Sequence, residues 1–233
     1  MLISINQPAY IPWLGYYERI DSSDVHVILD HVQFEKNSFT NRNKILTQNG
    51  PIWLTIPIAT KGKFGDLAIN KLKFSDISKW KKKHLRTVAQ NYSKAPYFEK
   101  YYSEFENILC QEYEFLNDLL FTLNKLFLTF LQISTTIHRS SDLNLITSKS
   151  DLVYDICQHF ETETYLSGAL GQNYLDKSKF ESSNINLEFQ NYIHPTYTQK
   201  SNDFVPYMSI LDLIFNEGEN SINIIRKGKN YLT

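Results

Sequence analysis

The fold is decided by residues 1–30, which read MLISINQPAYIPWLGYYERIDSSDVHVILD. The first six residues form an apolar strand, a proline-rich turn follows, and residues 13–20 have the spacing of a helix. Residues 25–29 are then a continuous apolar run of strand length that ends at Asp30. A strand, a turn, a helix and a second buried strand are typical of a βαβ unit with parallel strands.

The rest of the chain alternates strands and helices in the same way, which predicts an α/β fold with a Rossmann-like, mainly parallel sheet. We expect a single α/β domain over residues 1–233, with a helical insert or subdomain over 75–135. Pro96 should divide that insert into two long helices, because proline disfavours helical geometry in the residue before it. The remaining predicted strands are 53–58, 136–139, 164–166 and 185–189, and the remaining predicted helices are 150–160 and 208–215.

Composition excludes several classes of protein. The 233 residues are 42% hydrophobic and 21% charged, which rules out a collagen-like or disordered chain. The net charge of −1 gives no basic excess for binding nucleic acid. No signal peptide is evident, and polar residues interrupt the most apolar run, so we expect no membrane span and a cytoplasmic location. No His, Asp or Glu cluster has metal-ligand spacing, so no metal is predicted. Oligomeric state is left open.

The turn after the first strand carries the first candidate binding residues, Gln7, Tyr10, Trp13, Gly15 and Tyr16. Two prolines preset the turn ahead of a helix N-terminus, where backbone N–H groups can bind phosphate. Glycine inside a helix start is costly unless a phosphate or another backbone approaches closely. The turn therefore predicts a nucleotide or sugar-phosphate site, and the alternative is a rigid structural turn.

A polar segment follows the second strand and carries the next candidates. Asp30, at the strand end, could accept a proton or bind a sugar hydroxyl. Lys36 and Arg42 could hold a diphosphate, with Asn41 and Asn43 as further polar contacts. The alternative is a solvated loop with ion pairs.

Two later segments complete the candidate site. Ser167 and Gly168 follow a predicted strand, where small residues permit a close approach to a ligand. His194 lies in a polar, proline-fixed loop, a context that suits acid–base work, and Tyr197 and Gln199 follow it. A structural role is the alternative for each. The cationic run over 79–86 is either a solvated helix face or a docking surface for an acidic carrier protein, a diphosphate or RNA.

Several separated motifs, in order, resemble the WbqC-like protein family over nearly the whole chain. They are IxQPxYxPWxGY at 5–16, DVHVILDHVQFEKNSFTNRNKI at 24–45, TYLSG with the later YLD at 164–176, and HPTYTQ with SILDLIFNEG at 194–218. The resemblance implies a bacterial protein of surface-polysaccharide or O-antigen biosynthesis. It also implies modification of the amino group of a nucleotide-linked sugar with an acyl or aminoacyl group.

A shorter likeness concerns about 45 residues. Gln7-Pro8 followed by Trp13-Leu14-Gly15-Tyr16 looks like the phosphate-gripping turn of the HUP-fold nucleotidyltransferases, and Arg42 falls where those enzymes often carry a basic residue. Trp13 and Tyr16 stand where that family has two histidines. The likeness therefore implies a HUP-type fold and a phosphate cradle, without the adenylyl transfer.

The sequence thus predicts a transferase that acylates or aminoacylates the amino group of a nucleotide-linked sugar. His194 or Asp30 would take the proton of the attacking amine. No bound cofactor is expected, and the acyl donor would be a thioester on coenzyme A or on an acyl carrier protein. The alternatives are a non-catalytic nucleotide-sugar-binding protein and a divergent nucleotidyltransferase. All of them require the regions near positions 10, 36, 167 and 194 to meet in one pocket.

Overall fold

The computed structural model describes residues 1–60, 62, 67–76, 79–201 and 203–232, and shows an α/β architecture with a six-stranded, mostly parallel sheet. The strands are β1 (Leu2–Asn6), β2 (Val25–Ile28), β3 (Arg42–Thr47), β4 (Gly50–Thr55), β5 (Thr136–Arg139), β6 (Thr164–Ser167), β7 (Asn186–Gln190) and β8 (Tyr231–Leu232). The α-helices are α1 (Leu14–Asp21), α2 (Lys79–Tyr92), α3 (Phe98–Cys110), α4 (Leu116–Phe130), α5 (Lys149–His159), α6 (Lys177–Ser182), α7 (Ile210–Glu217) and α8 (Ser221–Lys227).

The strand order of the main sheet is β5-β2-β1-β6-β7-β8. Every neighbouring pair is parallel except β7 with β8, which is antiparallel. Numbered by their sequence within this sheet, the strands follow the Rossmann order 3-2-1-4-5-6. The order reverses between β1 and β6, and ligands of such sheets bind outside the carboxyl ends of the strands at that point. The predicted α/β class and mainly parallel sheet are confirmed.

Helices cover both faces of the sheet. Along β1 the side chains of Ile3 and Ile5 pack with α5 and Phe180 of α6 in one hydrophobic cluster. Ser4 points to the opposite face, where its hydroxyl donates a hydrogen bond to the backbone carbonyl of Arg19 in α1. This alternation is the period of two that a strand imposes. A larger second cluster joins α1 to α2, α3, α4, α7 and α8.

The helical region after position 75 contains three helices, so the predicted division into two was wrong. Pro96 does separate α2 from α3, and a second break at 111–115 separates α3 from α4. The sequence offers no proline or glycine at that second break. Along the described part of the chain, no helix has the length and apolar character needed to cross a membrane.

A separate two-stranded hairpin pairs β3 with β4, so the strand predicted over 53–58 is shifted to Gly50–Thr55. β3 lies within the polar segment for which a solvated loop was the alternative. Its side chains alternate in burial along β3, where Asn43 and Ile45 are buried and Arg42 and Lys44 are half-buried. The polar composition of β3 hid this strand, because its pairing depends on the facing strand and not on an apolar run.

Two buried histidines make the stability of the fold depend on pH. His84 of α2 accepts a hydrogen bond from the Tyr10 hydroxyl through Nδ1 and bonds to the Thr55 backbone. Burial lowers the pKa of His84 to about 4 and that of His26 to about 3. Both imidazoles are therefore neutral in the folded state, whereas the unfolded chain takes up protons near pH 6.5.

We predict that the free energy of unfolding falls as pH drops from about 6.5 to about 4, because the unfolded state binds protons that the folded state excludes. His84→Gln, which keeps a neutral hydrogen-bonding side chain, should remove roughly 3 kcal/mol of that fall. Urea unfolding at several pH values measures how the free energy of unfolding changes with pH in the wild type and in His84→Gln. His159→Gln, at an exposed position, controls for the loss of a histidine. An unchanged slope in His84→Gln would contradict the assignment.

Candidate functional site

A cleft of about 680 Å³ lies at the carboxyl ends of β1 and β6, where the strand order reverses. Its volume falls in the usual range for small-molecule sites. The lining residues that carry the argument are Asn6, Gln7, Trp13, Arg19, Glu35, Tyr165, Ser167, Gly168, Tyr174, Tyr192 and Tyr207.

Arg19 of α1 supplies the positive charge of the cleft. Its guanidinium lies against the backbone of Gly168, where an added Cβ atom would come within 2.1 Å of Nη1. Nε is buried without a hydrogen-bond partner, and within the described ranges the guanidinium forms no ion pair with a carboxylate. Burial lowers the pKa of Arg19, although an arginine keeps its proton in proteins. Arg19 is half-buried, and a partly desolvated cation without a carboxylate partner favours an anionic ligand.

A second unpartnered donor lines the same cleft. Asn6, the last residue of β1, is 8% exposed, and its side-chain Nδ2 has no hydrogen-bond partner. Buried donors in folded proteins are nearly always paired, so an open donor at a cleft indicates a missing acceptor. Asn6 and Arg19 both line the cleft, and each carries a side-chain nitrogen without a hydrogen-bond partner.

Aromatic rings form the walls of the cleft. Trp13 contacts Tyr192 and Tyr207 edge-on, with ring centroids 5.4 and 5.5 Å apart. The Trp13 ring lies across Gly15, where a Cβ atom would come within 2.4 Å of the indole. The Trp13 ring therefore occupies the space beside Gly15, and the approach of a phosphate to Gly15 stays a prediction.

His194, predicted to move protons, packs behind the wall and does not line the cleft. Its ring stacks on Trp13 at 6.3 Å and 15°. Nδ1 bonds to the Pro195 carbonyl, and Nε2 accepts the N–H of Tyr207, whose φ of 62° is left-handed. Both ring nitrogens are occupied by backbone, and burial lowers the pKa of His194. The geometry gives His194 a positioning role for Trp13 and Tyr207.

Asp30, the other predicted proton acceptor, is fully buried and does not line the cleft. Its carboxylate accepts hydrogen bonds from the Asn117 amide, the hydroxyls of Ser140 and Ser141, and the Ser141 N–H. These four bonds use the acceptor capacity of a carboxylate. Asp30 therefore ties the ends of β2 and β5 to α4.

The residues that were predicted to hold a diphosphate, in the segment after β2, do not line the cleft. The Asn43 amide donates to the carbonyls of Tyr10 and Ile11, and the Asn41 amide donates to the Ile56 carbonyl. Arg42 stacks on the Trp53 ring at 4.3 Å. Lys36 is exposed on the loop and does not line the cleft.

The other predicted aromatic and amide contacts also lie away from the cleft. The ring of Tyr10 is fully buried, and Tyr16, which is 6% exposed, packs edge-on against the ring of His26. Tyr197 and Gln199 bind the carboxylate of Asp212.

The structure thus brings together Gln7, Trp13, Ser167 and Gly168 from the predicted set, and adds Asn6 and Arg19. Arg19 follows Glu18 on an amphipathic helix, where a charged pair normally indicates a solvated face. The signal that could have found it is Gly168, since a glycine directly after a strand indicates a close approach by another group.

Comparisons with known proteins give one family match and one similar protein. The profile of the WbqC-like protein family matches residues 7–224. A Mycobacterium tuberculosis protein named "Uncharacterized protein Rv1507c" is 32% identical over 229 residues, covering 96% of this chain and 97% of that protein. No solved structure matches the chain.

We predict that Gly168→Ala weakens anion binding without unfolding the protein, because the new methyl group pushes the flexible guanidinium of Arg19 aside. Calorimetric titration with inorganic pyrophosphate should show about tenfold weaker binding, which corresponds to about 1.4 kcal/mol. A double-mutant cycle provides the control, since Gly168→Ala should have no further effect once Arg19→Gln is present. Additive losses would show that Gly168 acts independently of Arg19.

Proposed function

The chain belongs to the WbqC-like protein family, and from its cleft we propose that it binds a nucleotide-linked sugar through the diphosphate. The observation that carries this proposal is the unpaired guanidinium of Arg19 at the point where the strand order reverses. A diphosphate supplies the charge and the acceptors that Arg19 and Asn6 lack.

The remaining walls suit the rest of such a ligand. Trp13, Tyr192 and Tyr207 line the cleft with aromatic surface, which suits packing by a base or a sugar ring. Burial raises the pKa of Tyr165 and Tyr192, so their hydroxyls stay protonated at neutral pH. Polysaccharide biosynthesis, which the family resemblance implies, uses sugars in this activated form.

We predict that Arg19→Gln weakens binding of UDP or dTDP by about tenfold to a hundredfold, since a charge-assisted hydrogen-bond donor to phosphate is lost. Arg42→Gln is the matched control, because Arg42 is a half-buried arginine that stacks on Trp53 outside the cleft. Calorimetry on the two variants measures the difference. Equal losses, or a loss confined to Arg42→Gln, would place the anion site elsewhere.

The chemical step that we propose is transfer of an acyl or aminoacyl group onto the amino group of the bound sugar. The neutral amine attacks the carbonyl carbon of a thioester, the C–N bond forms, the C–S bond breaks, and the thiolate leaves. One amine proton must pass to a base and then to the thiolate. The ring nitrogens of His194 and the carboxylate of Asp30 are engaged in hydrogen bonds within the protein. Among the described residues that line the cleft, Glu35 is the one with a carboxylate, so Glu35 would take the proton.

We predict that a dTDP-4-amino-sugar and acetyl coenzyme A yield an acylated sugar and one free thiol per turnover. Glu35→Gln should lower kcat by about a hundredfold and leave dTDP binding unchanged. Glu99→Gln, an exposed glutamate on α3, controls for the loss of a carboxylate. Mass spectrometry of the sugar and a thiol assay measure the reaction. Tight sugar-nucleotide binding without thiol release would leave the non-catalytic binding protein as the function.

A further inference from the structure

A second cavity, of about 300 Å³, lies away from the cleft between the end of β3, α2 and α7. None of its lining residues lines the cleft. They are Leu46, Thr47, Gln48, Asn91, Tyr92, Lys200, Ser201 and Asp212.

Asp212 brings a buried carboxylate to this cavity. The residue is 1% exposed, and its carboxylate accepts hydrogen bonds from the hydroxyls of Tyr92 and Tyr197 at 2.7 and 2.8 Å and from the Gln199 amide at 2.7 Å. A carboxylate offers about four acceptor positions, so one remains. Throughout the part of the chain described, no cation pairs with it. Burial accordingly raises the pKa of Asp212.

Glu18 shows what a purely structural carboxylate looks like in this fold. It is fully buried and accepts hydrogen bonds from Ser22, Gln190 and Tyr231. Glu18 lines neither the cleft nor the second cavity, whereas Asp212 faces a space large enough for a ligand. Both carboxylates are buried, and they differ in that Asp212 lines a cavity whereas Glu18 lines neither the cleft nor the second cavity.

Lys200 places the opposite charge on the same cavity. It is exposed, and it forms no ion pair within the described segments. The cavity thus has an anionic wall at Asp212 and a cationic wall at Lys200. A molecule that carries an ammonium group and a carboxylate matches both walls at once.

We propose that this cavity binds a free α-amino acid, with its ammonium group on Asp212 and its carboxylate on Lys200. The volume lies at the lower end of small-molecule sites and suits an amino acid better than a nucleotide sugar. Asn91 adds a polar contact, since its amide nitrogen donates to the Thr87 carbonyl and leaves the side-chain oxygen as an acceptor. The site stands independently of the function proposed for the cleft.

Calorimetry and thermal shift with glycine, L-alanine and L-serine test the site, with ethylammonium and acetate as probes that carry one charge each. We expect the amino acids to bind more tightly than either single-charge probe. Lys200→Gln should weaken amino-acid binding about fivefold and leave ethylammonium binding unchanged. Asp212→Asn should remove binding of the amino acids and of ethylammonium. Lys82→Gln, an exposed lysine near the far end of α2, is the matched control and should bind as the wild type does.

Two results would overturn the proposal. One is the absence of amino-acid binding to the wild type at about 10 mM, a concentration at which even weak ligands raise the melting temperature. The other is an equal loss in Lys200→Gln and Lys82→Gln. If Asp212→Asn does not fold, the surface variant Lys200→Gln still decides. UDP titration of the same samples measures ligand binding at the cleft. A failure of the proposed diphosphate site is therefore distinguished from a failure of the amino-acid site.

Discussion

The hydrogen bonds from the Asn43 amide to the carbonyls of Tyr10 and Ile11 hold the first turn, and the cleft depends on that turn. Ile11 has a φ of 40°, which is a strained conformation for a β-branched residue. Such strain persists only when surrounding contacts fix it. Because Asn43 belongs to β3, the hairpin fastens the turn to a second element. The first turn then places Gln7 in the lining of the cleft and the Trp13 ring across Gly15.

The same turn leads into α1, which carries two neighbouring charged residues in different environments. Glu18 is buried and satisfied by three side-chain donors. Arg19, its neighbour, is directed to the cleft and has no carboxylate partner in the described residues. Partial burial of a cation without a carboxylate partner is costly, so a bound anion would stabilise the folded state as well as occupy the site.

The sheet was predictable from sequence because its central strands are apolar runs bounded by turn residues, as at 25–29. The hairpin was not, because the polar sequence of β3 is stabilised by pairing with β4 and not by burial of a continuous run. The site divides in the same way. Ser167 and Gly168, which line the cleft, could be predicted because their position directly after a strand is visible in the sequence. Arg19 was missed because only the fold shows which groove a helix side chain enters.

The loop that begins at His194 is held by hydrogen bonds that its polar sequence does not reveal. His194 accepts the N–H of Tyr207, and Gln199 exchanges hydrogen bonds with the backbone of Val205. Tyr197 fastens the same segment to Asp212. These bonds join residues that are 6 to 15 positions apart, so no local pattern reports them. Their effect on the cleft is indirect but definite, since they hold the left-handed backbone of Tyr207 at its wall and fix the face that Trp13 presents to a ligand.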